Sequence, residues 1–227
     1  MNKRIRKKHI DNRFKSIVTF RNSLNTVNVK ICWLKKLDCY GFAGFMELSS
    51  FPGMIFIHVS PDSPGDSMMS ACVKRMDYES DDCIVYLTNR QYQGLWASNR
   101  AERSSAYFIL LHEIGHVVNG DPFDDEDELE SKEFERTNLC REGKVEYGEF
   151  LADYFAATVI GFDKAIKALR RAADEDTKRI KFNSLFFDED YFYKSEREMY
   201  ARGALLEKSK EGQKIETVIT ELGTMAV

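Results

Sequence analysis

Tyr107-Phe-Ile-Leu-Leu-His-Glu-Ile-Gly-His-Val-Val-Asn-Gly120 is an apolar run broken by two histidines four residues apart, with a glutamate directly after the first. On an α-helix, positions i and i+4 lie one turn apart on one face. His112 and His116 can therefore reach one metal ion, while Glu113 points at water held beside it. This is the spacing of a helix-borne metal site, and in a chain with only four histidines a chance match is rare. The flanks predict both helix ends: Asn99 as N-cap with Glu102 at N3, and Asn119-Gly120 as the stop. Gly115 costs about 1 kcal/mol of helix propensity, so it needs a reason, and a strand or substrate passing tightly over the helix would supply one.

A catalytic zinc takes a third protein ligand and keeps one position open, and a carboxylate is the natural donor after two histidines. Downstream, Glu146-Tyr-Gly-Glu149-Phe-Leu-Ala-Asp153-Tyr-Phe-Ala-Ala157 reads as a second helix running to Gly161. Glu149 and Asp153 share a face, so one can bind the metal while the other accepts the free N–H of a ligand histidine. Glu149 is preferred as ligand and Asp153 as orienter. Glu146, one turn earlier, is the reserve ligand.

The pairing of His112-Glu-Ile-Gly-His116 with Glu149-x-x-Ala-Asp153-x-Phe-Ala-Ala157 resembles the gluzincin metallopeptidases, specifically the ImmA/IrrE family of bacteria, phages and mobile elements. The resemblance spans about a third of the chain, from the region of Ile84 to Gly161. It implies a zincin-like fold and peptide hydrolysis, with a repressor or other regulatory protein as substrate. After Ala157 the sequence Thr158-Val-Ile-Gly161-Phe-Asp-Lys-Ala departs from the family's proline-ended stretch and is closer to HtpX-like peptidases. Those are membrane-embedded, whereas no apolar run here approaches the roughly 20 residues that span a bilayer.

The remaining sequence predicts an α+β protein with a small sheet beside the active-site helix. β-rich runs occur at Val27 to Leu34, Tyr40 to Leu48, Met54 to Ser60 and Cys83 to Asn89, separated by Pro52-Gly53 and Pro61-Asp-Ser-Pro64-Gly65. The last run is the expected strand beside the site, where an extended peptide can pair with an exposed edge. The expected organisation is a basic arm and first helix over 1–22, a zincin-like core over 23–161, and a helical, aromatic extension packed on it over 162–227. Five cysteines without a Cys-x-x-Cys pair, and an N-terminus lacking an apolar segment, fit a reducing cytoplasm.

Other titratable clusters carry less. His58 reads as an ordinary strand histidine, and the acidic loop from Asp121 to Glu135 as a solvated segment without EF-hand spacing. Lys3-Arg4-Arg6-Lys7-Lys8 reads as a solvated or self-docking arm, since the pI of about 5.7 and the lack of a stacking motif argue against a nucleic-acid partner. In the aromatic segment from Phe182, Tyr191 and Tyr193 are the candidates for stabilising an oxyanion or lining a substrate pocket. A polar amphipathic helix carrying Arg197, Tyr200 and Arg202 is expected to follow.

The expected activity is zinc-assisted hydrolysis of a peptide bond in a polypeptide, with His112, His116 and Glu149 on the metal and Glu113 as general base. Two alternatives share the residues. A non-haem Fe(II) enzyme also uses two histidines and one carboxylate, and a non-catalytic regulatory protein could keep the metal for stability. Glu113 lodged between the histidines favours hydrolysis over both.

Overall fold

The computed structural model describes residues 13–61, 71–77, 79–124, 145–183 and 189–210, with backbone alone for 176–183 and 189–197. The basic arm, most of the acidic loop and the side chains of Tyr191 and Tyr193 lie outside the described residues. The chain is α+β: six strands form one sheet and five α-helices accompany it, among the described residues.

The strands are β1 (Phe14–Arg21), β2 (Asn28–Leu34), β3 (Phe42–Leu48), β4 (Ile55–Ser60), β5 (Cys72–Arg75) and β6 (Cys83–Thr88). Their order across the sheet is β1-β2-β3-β4-β6-β5, antiparallel except for the parallel β4–β6 pair. Period-2 alternation sets the faces. Val29, Ile31 and Trp33 of β2, Ile55, Ile57 and Val59 of β4, and Cys83, Val85 and Leu87 of β6 enter one core with the helices. His58 points to the opposite face, with its Nε2 2.9 Å from the Tyr40 carbonyl and its ring against Phe42 and Tyr86.

Two expectations about the sheet need correction. The first helix, expected to run through about Asn22, is strand β1, and the domain boundary at residue 22 would cut the β1–β2 hairpin. Phe14-Lys-Ser-Ile-Val-Thr-Phe-Arg21 carries a β-branched centre, and Val18 and Phe20, two apart, pack on the core while Ile17 is exposed. The Asn22 side chain ties the turn to β2 by accepting from the Thr26 and Val27 amides at 2.9 and 3.2 Å. Second, the strand from Cys83 is not an edge, because β6 is paired on both sides. The edge beyond it is β5, a four-residue strand with no other neighbour among the described residues.

The helices are α1 (Asn89–Gly94), α2 (Arg100–Asn119), α3 (Tyr147–Ile160), α4 (Phe162–Asn183) and α5 (Glu189–Lys210). Helix α2 starts where Asn99 accepts from the Ala101 and Glu102 amides and stops at Gly120, whose φ of 92° ends the helix. It is buried nearly all round from Ser105 to Val117, which makes it the central helix. Helix α4 presents Ala165, Ile166, Ala168, Leu169, Ala172 and Ala173 as a buried stripe at helical spacing. With Leu205 and Leu206 of α5, the first four of these join the main core.

Gly115 is explained by α3, rather than by a strand or a substrate. A Cβ at Gly115 would lie 2.6 Å from the Ala152 Cα and 2.9 Å from its carbonyl oxygen, so the two backbones touch there. Numbering outward from that crossing, His112 and His116 stand at −3 and +1 on α2, and Glu149 and Asp153 at −3 and +1 on α3. Glycine against alanine thus lets His112, His116, Glu149 and Asp153 converge across one helix crossing.

Candidate metal centre

His112 Nε2 and His116 Nε2 lie 3.1 Å apart, and Glu149 stands with Oε2 3.3 Å from the first and Oε1 3.9 Å from the second. Ligands about 2.0–2.1 Å from a tetrahedral zinc lie about 3.3 Å from one another, so these separations suit one ion between them. His112, His116 and Glu149 form a group that could hold a metal ion.

The tautomers fit as well. His112 Nδ1 donates to Asp153 Oδ1 at 2.9 Å, and His116 Nδ1 donates to Asp121 Oδ2 at 2.6 Å. With both Nδ1 atoms committed to carboxylates, both Nε2 atoms turn inward as donors toward a metal. The Arg202 Nη2 atom also comes within 3.4 Å of His112 Nδ1. Both nitrogens carry hydrogens in this arrangement, so that approach is a neighbour contact and the hydrogen bonds run to Asp153.

Glu146 has a different task from the one held in reserve for it. It is the N-cap of α3, its carboxylate accepting from the Gly148 and Glu149 amides at 2.8 and 3.0 Å. Capping at that point also sets the first turn of the helix that carries Glu149.

Glu113 is only 5 % exposed, and no described residue forms a hydrogen bond or ion pair with its carboxylate. Burial pushes its pKa up, and the neighbouring histidines offset only part of the rise. It lies within electrostatic reach of Cys72 on the edge strand β5. Cys32, Cys39, Cys72 and Cys83 are free thiols.

Two site residues were not assigned from the sequence. Asp121, grouped there with the acidic loop, is instead the partner of His116. Arg202, read as part of a polar helix, is 3 % exposed and reaches into the site from α5. Its Nε and Nη2 grip Asp153 at 2.6 and 2.7 Å, and its Nη1 stands 2.9 Å from Glu149 Oε2. The available signal was Arg202's position on the apolar stripe with Met199, Leu205 and Leu206, since a charge on a buried stripe calls for a buried partner.

No protein-family model, curated protein or solved structure matches this chain. The site therefore has to be read from its own chemistry.

Burial alone would lower the His112 pKa, but the hydrogen bonds it donates to the Asp153 and Glu149 carboxylates overcome it and raise it to about 10. The metal-free site thus holds a proton on His112 across the neutral range, and a metal must displace it. Binding of a divalent metal at pH 7 is expected to release about one proton, and apparent affinity should rise roughly tenfold per pH unit until His112 loses its proton unaided. Calorimetric titration in buffers of different ionisation enthalpy measures the released protons. An affinity that does not change between pH 6 and 8 would contradict this coupling.

Proposed function

We propose that this chain is a zinc-dependent metallopeptidase of the zincin type, hydrolysing a peptide bond in a polypeptide substrate. The observation that carries the reading is a three-donor site with both histidine tautomers fixed, beside a buried carboxylate, Glu113, that forms no hydrogen bond or ion pair among the described residues. Burying such a carboxylate is costly, and a purely structural metal site has no use for it. Zinc held there would polarise a scissile carbonyl and lower the pKa of a coordinated water toward 7.

The chain's own groups supply the remaining chemistry. Glu113 takes a proton from the attacking water and returns it to the leaving amine nitrogen. Burial raises its pKa, which makes it a stronger proton acceptor than an exposed glutamate. Asp153 and Asp121 keep the two imidazoles in the tautomer that faces the ion. An extended substrate can add to the outer edge of β5, within reach of Glu113, by main-chain hydrogen bonding. The resemblance to the ImmA/IrrE family favours a regulatory protein such as a repressor as that substrate. Among the described residues no helix is long and apolar enough to cross a membrane.

The reading is tested by incubating the zinc-loaded protein with regulatory proteins encoded beside its gene, in water enriched in oxygen-18. Hydrolysis should place one heavy oxygen on each new carboxyl terminus, stop with a chelator and resume with zinc. Oxygen gained from O2 in an iron-dependent reaction would favour the non-haem iron reading. Tight binding without cleavage would favour the regulatory binding protein.

A further inference from the structure

We propose that Arg202 is a positioning residue that makes Glu149 a one-oxygen ligand and locks Asp153 against His112. This rests on the metal-site reading above and adds a determinant of how the metal is coordinated.

An arginine buried on an apolar helix face needs compensation, because removing a guanidinium from water is costly unless its donors are matched. Nε and Nη2 form a two-pronged grip on Asp153, Nη1 donates to Glu149 Oε2 at 2.9 Å, and Glu198 Oε1 lies at an ion-pair distance of 3.6 Å from Nη1, so the charge is met by carboxylates on two helices. Asp153 itself is completely buried, and its carboxyl pKa is held low because the Arg202 charge and hydrogen bonds outweigh the effect of burial.

The fork has two consequences that a point charge would not. Asp153 Oδ1 accepts from Arg202 on one side and from His112 Nδ1 on the other, which fixes the carboxylate that orients the imidazole. Arg202 also engages Oε2 of Glu149, which lies 3.3 Å from His112 Nε2, while Oε1 lies 3.9 Å from His116 Nε2, so the guanidinium takes up a lone pair of one oxygen and distinguishes it from the other. A carboxylate held at one oxygen is biased against chelating through both. Two imidazole nitrogens and one carboxylate oxygen suit four-coordinate zinc or cobalt, whereas calcium and magnesium demand more oxygen ligands. Lysine cannot reproduce the grip, since its ammonium lacks the planar spread of donors.

The test uses the full chain freed of metal, titrated with Co2+ and then with Zn2+, as wild type, R202M and R202K. Wild type should show the intense visible absorption of four-coordinate cobalt. R202M should lose several-fold of that intensity as coordination expands, and bind zinc about 10- to 100-fold more weakly. R202K, which keeps the charge without the fork, should follow R202M. A wild-type spectrum and affinity in either variant would overturn the proposal, because a merely structural role would leave the metal's coordination unchanged. If R202M fails to fold by circular dichroism, R202K decides alone. Failure of wild type itself to bind either metal would instead refute the metal site.

Discussion

Glu113→Gln is expected to retain both fold and metal while losing about two to four powers of ten in peptide hydrolysis, the usual contribution of a positioned acid–base group. Glutamine has the same shape, but its amide cannot accept a proton from water at neutral pH. The carboxylate it replaces is no metal donor in the His112, His116 and Glu149 group and has no hydrogen-bond partner among the described residues. Removing a buried carboxylate that no hydrogen bond among the described residues compensates should leave thermal stability unchanged or slightly higher. Cleavage rates, metal content and melting temperature of the variant beside wild type measure all three effects. Equal cleavage by both proteins would exclude Glu113 as the base.

The second large effect is loss of the metal. His112→Ala and His116→Ala should each abolish stoichiometric binding, since removing a donor costs more than the roughly 10- to 100-fold typical of removing its hydrogen-bonding partner. The two variants should differ in stability. Asp153, the partner of His112, is 0 % exposed, whereas the Asp121 side chain, the partner of His116, is 26 % exposed. Water can take over at Asp121, so the metal-free His116→Ala protein should melt close to wild type. At Asp153 the lost bond leaves a buried acceptor for Arg202 alone to satisfy, costing about 1–3 kcal/mol in His112→Ala. Equal melting temperatures for the two metal-free variants would contradict this difference in setting.

What could be read from the chain follows from how local each signal is. His112, Glu113 and His116 lie within one helical turn, and Glu149 and Asp153 within another, so their spacing alone puts each set on a common face. The runs at β2, β3, β4 and β6 are apolar and bounded by turn residues, so their positions were legible to within two residues. Helix α2 showed both of its caps in the sequence.

The elements that were misread depend on partners distant in the chain. The Phe14–Arg21 segment follows a basic arm and was read as a helix, although its alternation of core-facing and exposed residues is what pairing with β2 requires. Strand β5 has four residues and gains its identity from β6, so no periodic signal could mark it. Gly115 announced a close approach but could not name Ala152, 37 residues later, as the neighbour. Arg202 lies 49 residues beyond Asp153, and Asp121 sits among many acids of which the spacing singles out none.

A zinc centre built from two helices is tested most directly by elemental analysis of protein purified without added metal. One zinc per chain is expected in wild type. Iron in the same stoichiometry, or no bound metal together with no uptake of added zinc, would contradict it.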